Sequence, residues 1–407
     1  MKFMGYRRPD GRVGVRNYLA IIPSVFCANN AVRKISEAIP GSVPLYHVVG
    51  CAQVGLDLDI TGRTLCAMGT HPNVGAVLII GLGCERFRPD ELYAAVKKAG
   101  KPVEMLVIQD EGGLTKTIEK GIALGKELMK KVQACQREEC DTSELLIGTK
   151  CGGTDATSGL AANPVVGNMV DRMVAAGGSG ILSELNELLG TEDMLAKRAV
   201  SPEVKDKIYC AIHEIEHFLQ GSIDMSLGAN RNHLISYGNF AGGVSSIVEK
   251  ALGGVYKGGT TPIVDVLSYA TKPPKDKKGL FLMNYESHDG EVVTGEVGCG
   301  AQIVVFTTGR GNPTGHPLVP VIKVTGNYKT YAGMAENFDF DASGVISAND
   351  TIEEDGKKLF DYVMDVANGK VLTSAEKFGG TELFCIARCP GYHRPADCEQ
   401  AFGPGER

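Results

Sequence analysis

The length and charge of the chain limit what kind of protein it can be. Its 407 residues leave room for two domains of roughly 150 residues or more. The formal net charge of −6 gives no basic field that would attract nucleic acid or an anionic membrane. The longest apolar run, residues 74–82, is too short to cross a bilayer, and residues 1–16 are too polar for a signal peptide.

Cysteine and glycine usage add to this picture. The 12 cysteines are scattered along the whole chain, which fits reduced thiols in a cytosol better than a disulfide framework. The 52 glycines fall mostly in short clusters after apolar runs, as they do in sites that are built from loops. We therefore expect a cytoplasmic protein that binds neither nucleic acid nor membrane.

The first third of the chain has the pattern of an α/β protein. Strand-like apolar runs alternate with helical segments, with runs at 18–22, 45–49, 76–80 and 103–108 and helices at 31–38, 91–98 and 114–132. This alternation predicts a mostly parallel sheet flanked by helices. Three of the runs lead into polar or cysteine-bearing turns, at 24–30, 50–53 and 81–85. A site at the carboxyl ends of the strands would collect these turns.

A charge-dense segment, residues 136–144, is the expected boundary between two lobes. The alternation resumes after it, with apolar runs at 145–147, 180–182 and 303–306. We therefore predict an α/β fold of two lobes with mostly parallel sheets flanked by helices, divided into 1–144 and 145–407. The second lobe is expected to carry much of the site.

The most informative loop follows the run at 145–147. Its glycine pair lies between Cys151 and the polar residues Thr154 and Asp155, and a helical pattern follows. The glycines allow the backbone to approach a ligand closely, and the neighbours offer a thiol, a hydroxyl and a carboxylate. The spacing matches neither GxGxxG nor a P-loop, so a nucleotide is not the expected ligand. The alternative is a simple glycine-rich connection with a buried cysteine.

Several potential metal ligands follow other strand-like runs. They are imidazole, thiol and carboxylate groups, at His47, Cys51, Cys84, Glu85 and Cys151. Divalent iron or manganese accepts such a mixed set, and groups at neighbouring strand ends can converge although they are distant in sequence. The alternative is that the cysteines only pack, since no CxxC spacing supports a metal.

Two places could recognise an anion. The segment 241–250 begins with Gly242 and Gly243 and continues as a helix, whose first amides could hold a carboxylate. Arg310 lies between glycines after the run at 303–306, where its guanidinium could pair with a carboxylate. The alternatives are an ordinary helix cap and a solvated turn arginine.

Residues 213–217 match the HExxH pattern of zinc proteases, with His213 and His217 on one helical face. The variable position before His217 is a charged Glu216, and no third ligand follows at short spacing. We interpret the segment as an exposed amphipathic helix.

The segments 5–17, 71–85, 149–164, 238–243 and 306–311 together resemble the altronate and galactarate dehydratase family, from about residue 5 to about residue 385. The resemblance implies a metal-dependent hydro-lyase that converts a sugar acid to a 2-keto-3-deoxy acid, with iron(II) or manganese as the metal. It is also similar to the sulfolactate sulfo-lyase large subunit, so release of sulfite is an alternative. A sugar-acid-binding protein without turnover is the rival hypothesis.

The residue patterns described above and the resemblance together give three sets of expected site residues. Those expected to move protons are Glu184, Lys250 and His316. Those expected to bind the substrate are Arg16, Asn17, Thr154, Asp155, Asn163, Gly242, Gly243, Thr308 and Arg310. Those expected to bind the metal are His47, Cys51, Cys84 and Cys151.

The resemblance implies that single-chain members of the family have an additional small domain with histidines, which we expect this chain not to carry. We therefore expect a small partner subunit or domain that supplies a histidine base, because a base with a pKa near neutrality suits proton removal beside a carboxylate. Such a partner also predicts an apolar docking patch near the cleft and an oligomeric enzyme.

Overall fold

The computed structural model describes residues 1–222, 235–379 and 384–388. Its strands are β1 Lys2–Arg7, β2 Val13–Gly14, β3 Tyr18–Pro23, β4 Ser42–Pro44, β5 Val74–Gly81, β6 Val103–Val107, β7 Glu138–Asp141, β8 Leu146–Cys151, β9 Ser179–Leu182, β10 Ile263–Ser268, β11 Leu280–Asn284, β12 Ile303–Thr307, β13 Val321–Thr325 and β14 Phe340–Asp341. Its helices are α1 Asn29–Glu37, α2 Gly55–Gly69, α3 Pro89–Lys98, α4 Leu114–Ala134, α5 Asn163–Ala175, α6 Glu192–Ala196, α7 Pro202–Ser222, α8 Tyr237–Ala241, α9 Ile247–Tyr256, α10 Asp289–Gly298, α11 Tyr328–Gly333, α12 Ser343–Ile346, α13 Ile352–Ala367 and α14 Ser374–Lys377.

The amino-terminal lobe contains a parallel sheet in the order β4-β3-β5-β6. All eight residues of β5 are buried, because helices cover both faces of the sheet. Val77 and Ile79 belong to the core that includes residues of α2 and α3, whereas Leu78 and Ile80 belong to the core that includes residues of α1 and α4. This alternation explains why the sequence shows an unbroken apolar run instead of a period of two.

One predicted strand is displaced. The run at 45–49 is not a strand, because β4 ends at Pro44. The reason is local: Nε2 of His47 bonds to the carbonyl of Pro23 at 2.7 Å, and Nδ1 accepts the amide of Val49 at 3.3 Å. These side-chain bonds turn the chain out of the sheet after Leu45, whose amide still donates to the carbonyl of Ile21 at 3.0 Å.

The carboxy-terminal lobe contains a seven-stranded parallel sheet in the order β10-β11-β9-β8-β12-β13-β14. Ile147 of β8 pairs with Gly180 on one side and Ile303 on the other. After β8 the chain adds β9, β11 and β10 on one side of β8, and then β12, β13 and β14 on the other side. The direction of strand addition therefore reverses between β8 and β12. The predicted fold class, two lobes of mostly parallel sheet flanked by helices, is confirmed.

A third sheet, antiparallel and not expected from the sequence, has the order β2-β1-β7. Its strand β7 lies within the charge-dense segment 136–144. The lobes are also joined through Asn73, whose side-chain amide donates to the carbonyls of Gln302 at 3.2 Å and Leu318 at 2.9 Å. Among the described residues, none of the helices combines the length and apolarity needed to cross a membrane.

Gly167 allows the helices α5 and α9 to approach each other closely. A Cβ at this position of α5 would lie 1.9 Å from the carbonyl oxygen of Tyr256, the last residue of α9. We predict that Gly167→Ala forces α5 and α9 apart and lowers the thermal midpoint by about 5 °C in scanning calorimetry. Gly333→Ala, whose Cβ would meet nothing within 4 Å, is the control and should leave the midpoint unchanged.

Candidate functional site

The loops after β8 and β12 meet where the strand order reverses. The amide of Gly152 donates to the carbonyl of Thr307 at 2.8 Å, and the amide of Gly309 donates to the carbonyl of Gly153 at 2.9 Å. In open parallel sheets this is the place where ligands bind. The two glycine-rich loops singled out in the sequence therefore form one edge of a single site.

A buried carboxylate lies at the centre of this site. Glu184 follows β9 and is fully buried. Its oxygens accept hydrogen bonds from the ammonium groups of Lys150 and Lys257 and from the amide of Cys151, the last at 2.8 Å. Burial alone would raise the pKa of Glu184, but the two lysines outweigh it and hold the pKa well below its usual range. Glu184 is therefore an ionised carboxylate with both oxygens engaged.

The lysines of this group are cations as well. Burial works against the charged form of Lys150, but the carboxylates of Glu184 and Asp289 raise its pKa. Asp289 Oδ1 lies 2.7 Å from Lys150 Nζ. Glu184 in turn raises the pKa of Lys257 against the effect of burial. The two ammonium groups and two carboxylates thus stabilise one another's charges, with both lysines and Glu184 fully buried and Asp289 partly exposed.

A second part of the cluster is more open. Lys250 of α9 places its ammonium between the hydroxyl of Thr154 and the carboxylate of Glu187, which lies 3.1 Å away. The thiol of Cys151 donates to the same carboxylate at 3.2 Å. Burial, together with the carboxylates of Glu184 and Glu187, raises the pKa of Cys151 to about 11, so its thiol stays protonated.

Cys151, Glu184 and Glu187 also form a possible metal-binding group, because their ligand atoms lie within 4.8 Å of one another. A thiol and two carboxylates suit a divalent transition metal such as iron or zinc. This group shares only Cys151 with the predicted set of metal ligands.

The remaining residues of the loop after β8 are held by neighbouring loops. The amide of Thr154 donates to the side chain of Asn239 at 2.8 Å, and Asp155 accepts the side-chain amide of Asn327 at 2.7 Å. A Cβ on Gly242 would lie 2.4 Å from the carbonyl oxygen of Thr154, so only glycine allows this contact. Gly243 follows with a φ of +95°, which favours glycine.

The loop after β12 supplies a free cation at the edge of the site. Thr308 donates its hydroxyl to the carbonyl of Gly153 at 3.3 Å and accepts the amide of Gly311 at 3.1 Å. The side chain of Arg310 lies beside Gly153, is exposed, and has no ion-pair partner among the described residues. Its guanidinium is therefore available to a carboxylate ligand.

Asn163 supports the site from behind. Its side-chain oxygen accepts the hydroxyl of Thr307 at 2.7 Å, and its amide donates to the carbonyl of Gly253 at 3.0 Å. Asn163 thus connects α5, α9 and β12, and its polar atoms are committed to protein partners.

Arg16 and Asn17, two predicted substrate ligands, have other partners. The guanidinium of Arg16 forms a two-point pair with Glu376 at 2.7 and 3.0 Å and donates to the carbonyls of residues 15, 366 and 371. Asn17 bonds to Arg8 and to the carbonyl of Val132. Because all five N–H groups of Arg16 have protein acceptors, the structure gives it a role between the lobes instead of one in substrate binding.

His47, Cys51 and Cys84 are not part of the group of ligand atoms around Cys151. Both nitrogens of His47 bond to backbone, and burial lowers its pKa to about 4. Cys51 and Cys84 are exposed. Within the described residues, neither they nor His47 belong to a group of three convergent ligand atoms. Glu85 accepts the hydroxyl of Ser24 and nearby amides and so stabilises the turn after β5.

The other histidines do not join the cluster. His316 accepts the amide of Leu318 at 3.2 Å and contacts the ring of Phe384, and burial lowers its pKa to about 3. His213 and His217 are exposed on α7, and no group of three metal ligands in the described part of the chain includes them. The exposure of both histidines agrees with our interpretation of α7 as an amphipathic helix, but Glu216 is buried, against our expectation for this position.

Comparisons with known proteins decide the family. Residues 142–390 match the family model described as D-galactarate/Altronate dehydratase, C-terminal, and residues 5–133 match D-galactarate dehydratase/Altronate hydrolase, second domain. The chain belongs to this dehydratase family. The resemblance expected from the sequence motifs is thereby confirmed.

Individual members of the family are similar along most of the chain. Altronate dehydratase of Bacillus subtilis is 37% identical, covering 94% of this chain and 76% of its own length. Galactarate dehydratase (L-threo-forming) of Escherichia coli is 35% identical, and the match covers 93% of this chain and 75% of that protein. The beta subunit of (2R)-sulfolactate sulfo-lyase from Chromohalobacter salexigens is 35% identical, covering 94% and 96%.

The sequence did not point to four charged residues of this candidate site: Lys150, Lys257, Glu187 and Asp289. Lys150 is a single charge within an apolar strand, and a charge buried in a strand requires a partner. Glu187 is three residues after Glu184, close enough for both to reach one cluster. Lys257 and Asp289 carried no signal, because the tertiary fold alone brings them to the strand ends.

Glu296 of α10 lies beneath β8 and provides a test of the electrostatics around the site. Ser183 donates to its Oε1 at 2.8 Å, and burial raises its pKa from 4.5 to about 8. Between these two pH values the unfolded chain has an ionised Glu296 while the folded protein keeps the proton. Stability therefore falls as pH rises from about 4.5 to about 8.

We predict that Glu296→Gln removes this dependence. The thermal midpoint of the variant minus that of the native protein, measured by calorimetry, should therefore be larger at pH 8 than at pH 5. Glu119→Gln, on the exposed face of α4, is the control and should differ from the native protein equally at both pH values. An equal difference for Glu296→Gln would contradict the buried neutral carboxyl.

Proposed function

We propose that this chain is the large subunit of a hydro-lyase that dehydrates a sugar acid to a 2-keto-3-deoxy acid. The observation that carries the proposal is the cluster of Lys150, Lys250 and Lys257 with Glu184 and Glu187 at the carboxyl ends of β8 and β9, in a chain of the galactarate and altronate dehydratase family. The names of the relatives indicate the substrate class, and the cluster contains the charged groups that a dehydration requires.

The chemistry requires stabilisation of negative charge. Removing the proton beside a carboxylate produces an enediolate, and the hydroxyl on the next carbon then needs a proton in order to leave. We propose that Arg310 binds the substrate carboxylate. Burial lowers the pKa of Lys250, but the carboxylates of Glu187 and Glu184 outweigh burial and keep the ammonium protonated, so Lys250 suits the role of the acid.

Two of the three residues expected to move protons are poor bases in this structure. Glu184 is ionised but has both oxygens bonded to Lys150, Lys257 and a backbone amide, so we propose that it positions the lysines. His316 lies beside Phe384, outside the cluster. These placements support a base that comes from a partner.

We further propose that the protein binds a divalent metal, iron(II) or manganese, at Cys151 and Glu187 with Glu184 completing the group. The donor types fit such an ion, and the ion would replace the proton that Cys151 now shares with Glu187. Glu184 could contribute only a remaining lone pair beside its lysines. A bound divalent ion would act as a Lewis acid toward a substrate oxygen.

Metal analysis of variants tests this assignment. The native protein, purified without chelator, should contain iron or manganese by mass spectrometry, and Cys151→Ser should lose most of it because serine is a poor ligand for these ions. Cys140→Ser is the matched control, since Cys140 is equally buried but lies in β7. Equal metal content in the two variants would exclude Cys151 as a ligand.

A partner subunit is supported by two observations. One relative with full-length similarity is named as a beta subunit. In addition, α9 exposes an apolar stripe of Val248, Leu252 and Tyr256, with exposed fractions of 45%, 41% and 49%, on the face opposite Lys250. We propose that a small partner docks on this stripe and extends around α9, so that a histidine of the partner reaches the cluster on the other face of the helix.

The deciding experiment is a substrate screen with altronate, galactarate and sulfolactate, with and without the small partner chain. We expect dehydration of a sugar acid only with the partner, and a loss of about 100-fold or more in kcat for Lys250→Met. Lys98→Met, an exposed lysine of α3, should keep full activity.

Other outcomes of the screen have distinct meanings. Full activity of the isolated chain would contradict the partner. Release of sulfite from sulfolactate would favour the second candidate function, which rests on the similarity to the sulfo-lyase beta subunit over 96% of its length. Binding of a sugar acid without turnover under every condition would favour the non-catalytic binding protein.

A further inference from the structure

A cavity of about 260 Å³ lies at the edge of the seven-stranded sheet opposite Glu184. Its walls include Leu146, Ser179 and Gln302, which lie at the amino ends of β8, β9 and β12. Because β8 has six residues and rises about 3.3 Å per residue, roughly 20 Å separate the cavity from the cluster around Glu184. The cavity is therefore a separate place on the molecule.

Both lobes contribute to its walls. Gly11, Arg12 and Pro72 belong to the amino-terminal lobe, and the segment 273–278, which joins β10 to β11, belongs to the carboxy-terminal lobe. The side-chain amide of Gln302 donates to the carbonyl of residue 13 at 2.9 Å and of residue 144 at 2.7 Å, which fixes the wall between them. A ligand in this cavity would contact both lobes.

The lining has an excess of positive charge. Its charged residues are Arg12, Lys275, Lys277, Lys278 and Glu144, of which Arg12 is paired with Asp10 at 3.2 Å and Lys277 with Asp265 at 2.6 Å. Lys275 donates to the backbone carbonyl of Asp10 at 2.8 Å, and Lys278 donates to the backbone carbonyl of Ser143. Neither lysine has an ion-pair partner among the described residues, so both charges remain unneutralised.

Two further lysines lie close behind. Lys272 donates to the carbonyl and hydroxyl of Thr70, and burial, reinforced by Arg12, lowers its pKa to about 8. Lys101 donates to the carbonyl of His71, and burial, together with Arg8 and Lys272, lowers its pKa well below the usual range. Burial is the main cause of both shifts, and the neighbouring cations add to it.

We propose that this cavity binds a small metabolite with two or more negative charges, as phosphate or carboxylate groups, held by Lys275 and Lys278. A volume below about 300 Å³ limits the ligand to a molecule smaller than a typical drug-sized compound. Because the ligand binds only where the two lobes are docked, its binding stabilises the folded arrangement.

The test uses the full chain in calorimetric titrations with inorganic pyrophosphate and, separately, with malonate. We expect saturable binding of at least one probe, weaker at 200 mM than at 50 mM salt, and an accompanying rise in thermal midpoint. The double variant Lys275→Ser/Lys278→Ser should bind about tenfold more weakly or worse. Both lysines are exposed, and their hydrogen bonds go to backbone carbonyls, so the variant should fold normally.

Lys98→Ser/Lys126→Ser, with two exposed lysines on α3 and α4, is the control of equal charge and should bind like the native protein. Lys250→Met should also retain binding, because it alters only the distant cluster. Binding of pyrophosphate alone identifies a phosphorylated ligand, and binding of malonate identifies a dicarboxylate. Absence of binding by both probes, or equal affinity in the double variant and its control, overturns the proposal.

Discussion

The buried ion pairs of Glu184 with Lys150 and Lys257 are the interaction on which the candidate site depends. Both lysines are fully buried. Removing one member of a buried ion pair lowers the free energy of unfolding by about 3–5 kcal/mol, because the remaining charge is left without a partner. Glu184 therefore keeps two cations at the carboxyl ends of the strands, where burial prevents water from solvating their charges. Such fixed charges need no reorganisation when negative charge develops on a substrate.

The backbone of Glu184 adopts a strained conformation that accompanies these ion pairs. Glu184 has a φ of +68° and a ψ of +48°, a left-handed conformation that is uncommon for residues other than glycine. Such a conformation costs on the order of 1–3 kcal/mol and persists only where the surroundings determine it. Here the two lysines and the amide of Cys151 fix the carboxylate, and the reversal after β9 places Glu187 next to Lys250.

The sequence predicts the architecture better than the site, and the reason is physical. Apolar periodicity reports burial on both faces of a sheet, so strands such as β5 are visible along the chain. The type of a residue does not show which other residues its side chain contacts. Arg16 has the chemistry of a carboxylate ligand for substrate, but its carboxylate is Glu376 of the same chain. Lys257 has no local pattern, because only the packing of α9 against the strand ends makes it part of a cluster.

The pair between Arg16 and Glu376 also has a consequence for biosynthesis. The two residues are 360 positions apart, and both side chains are almost enclosed when paired. At a synthesis rate of about 5–20 residues per second, Arg16 leaves the ribosome on the order of 20–70 s before its partner. During that interval the guanidinium remains hydrated and the seam between the lobes remains open. The amino-terminal lobe can thus form early on the ribosome, whereas its docking becomes final only when the last tenth of the polypeptide has been made.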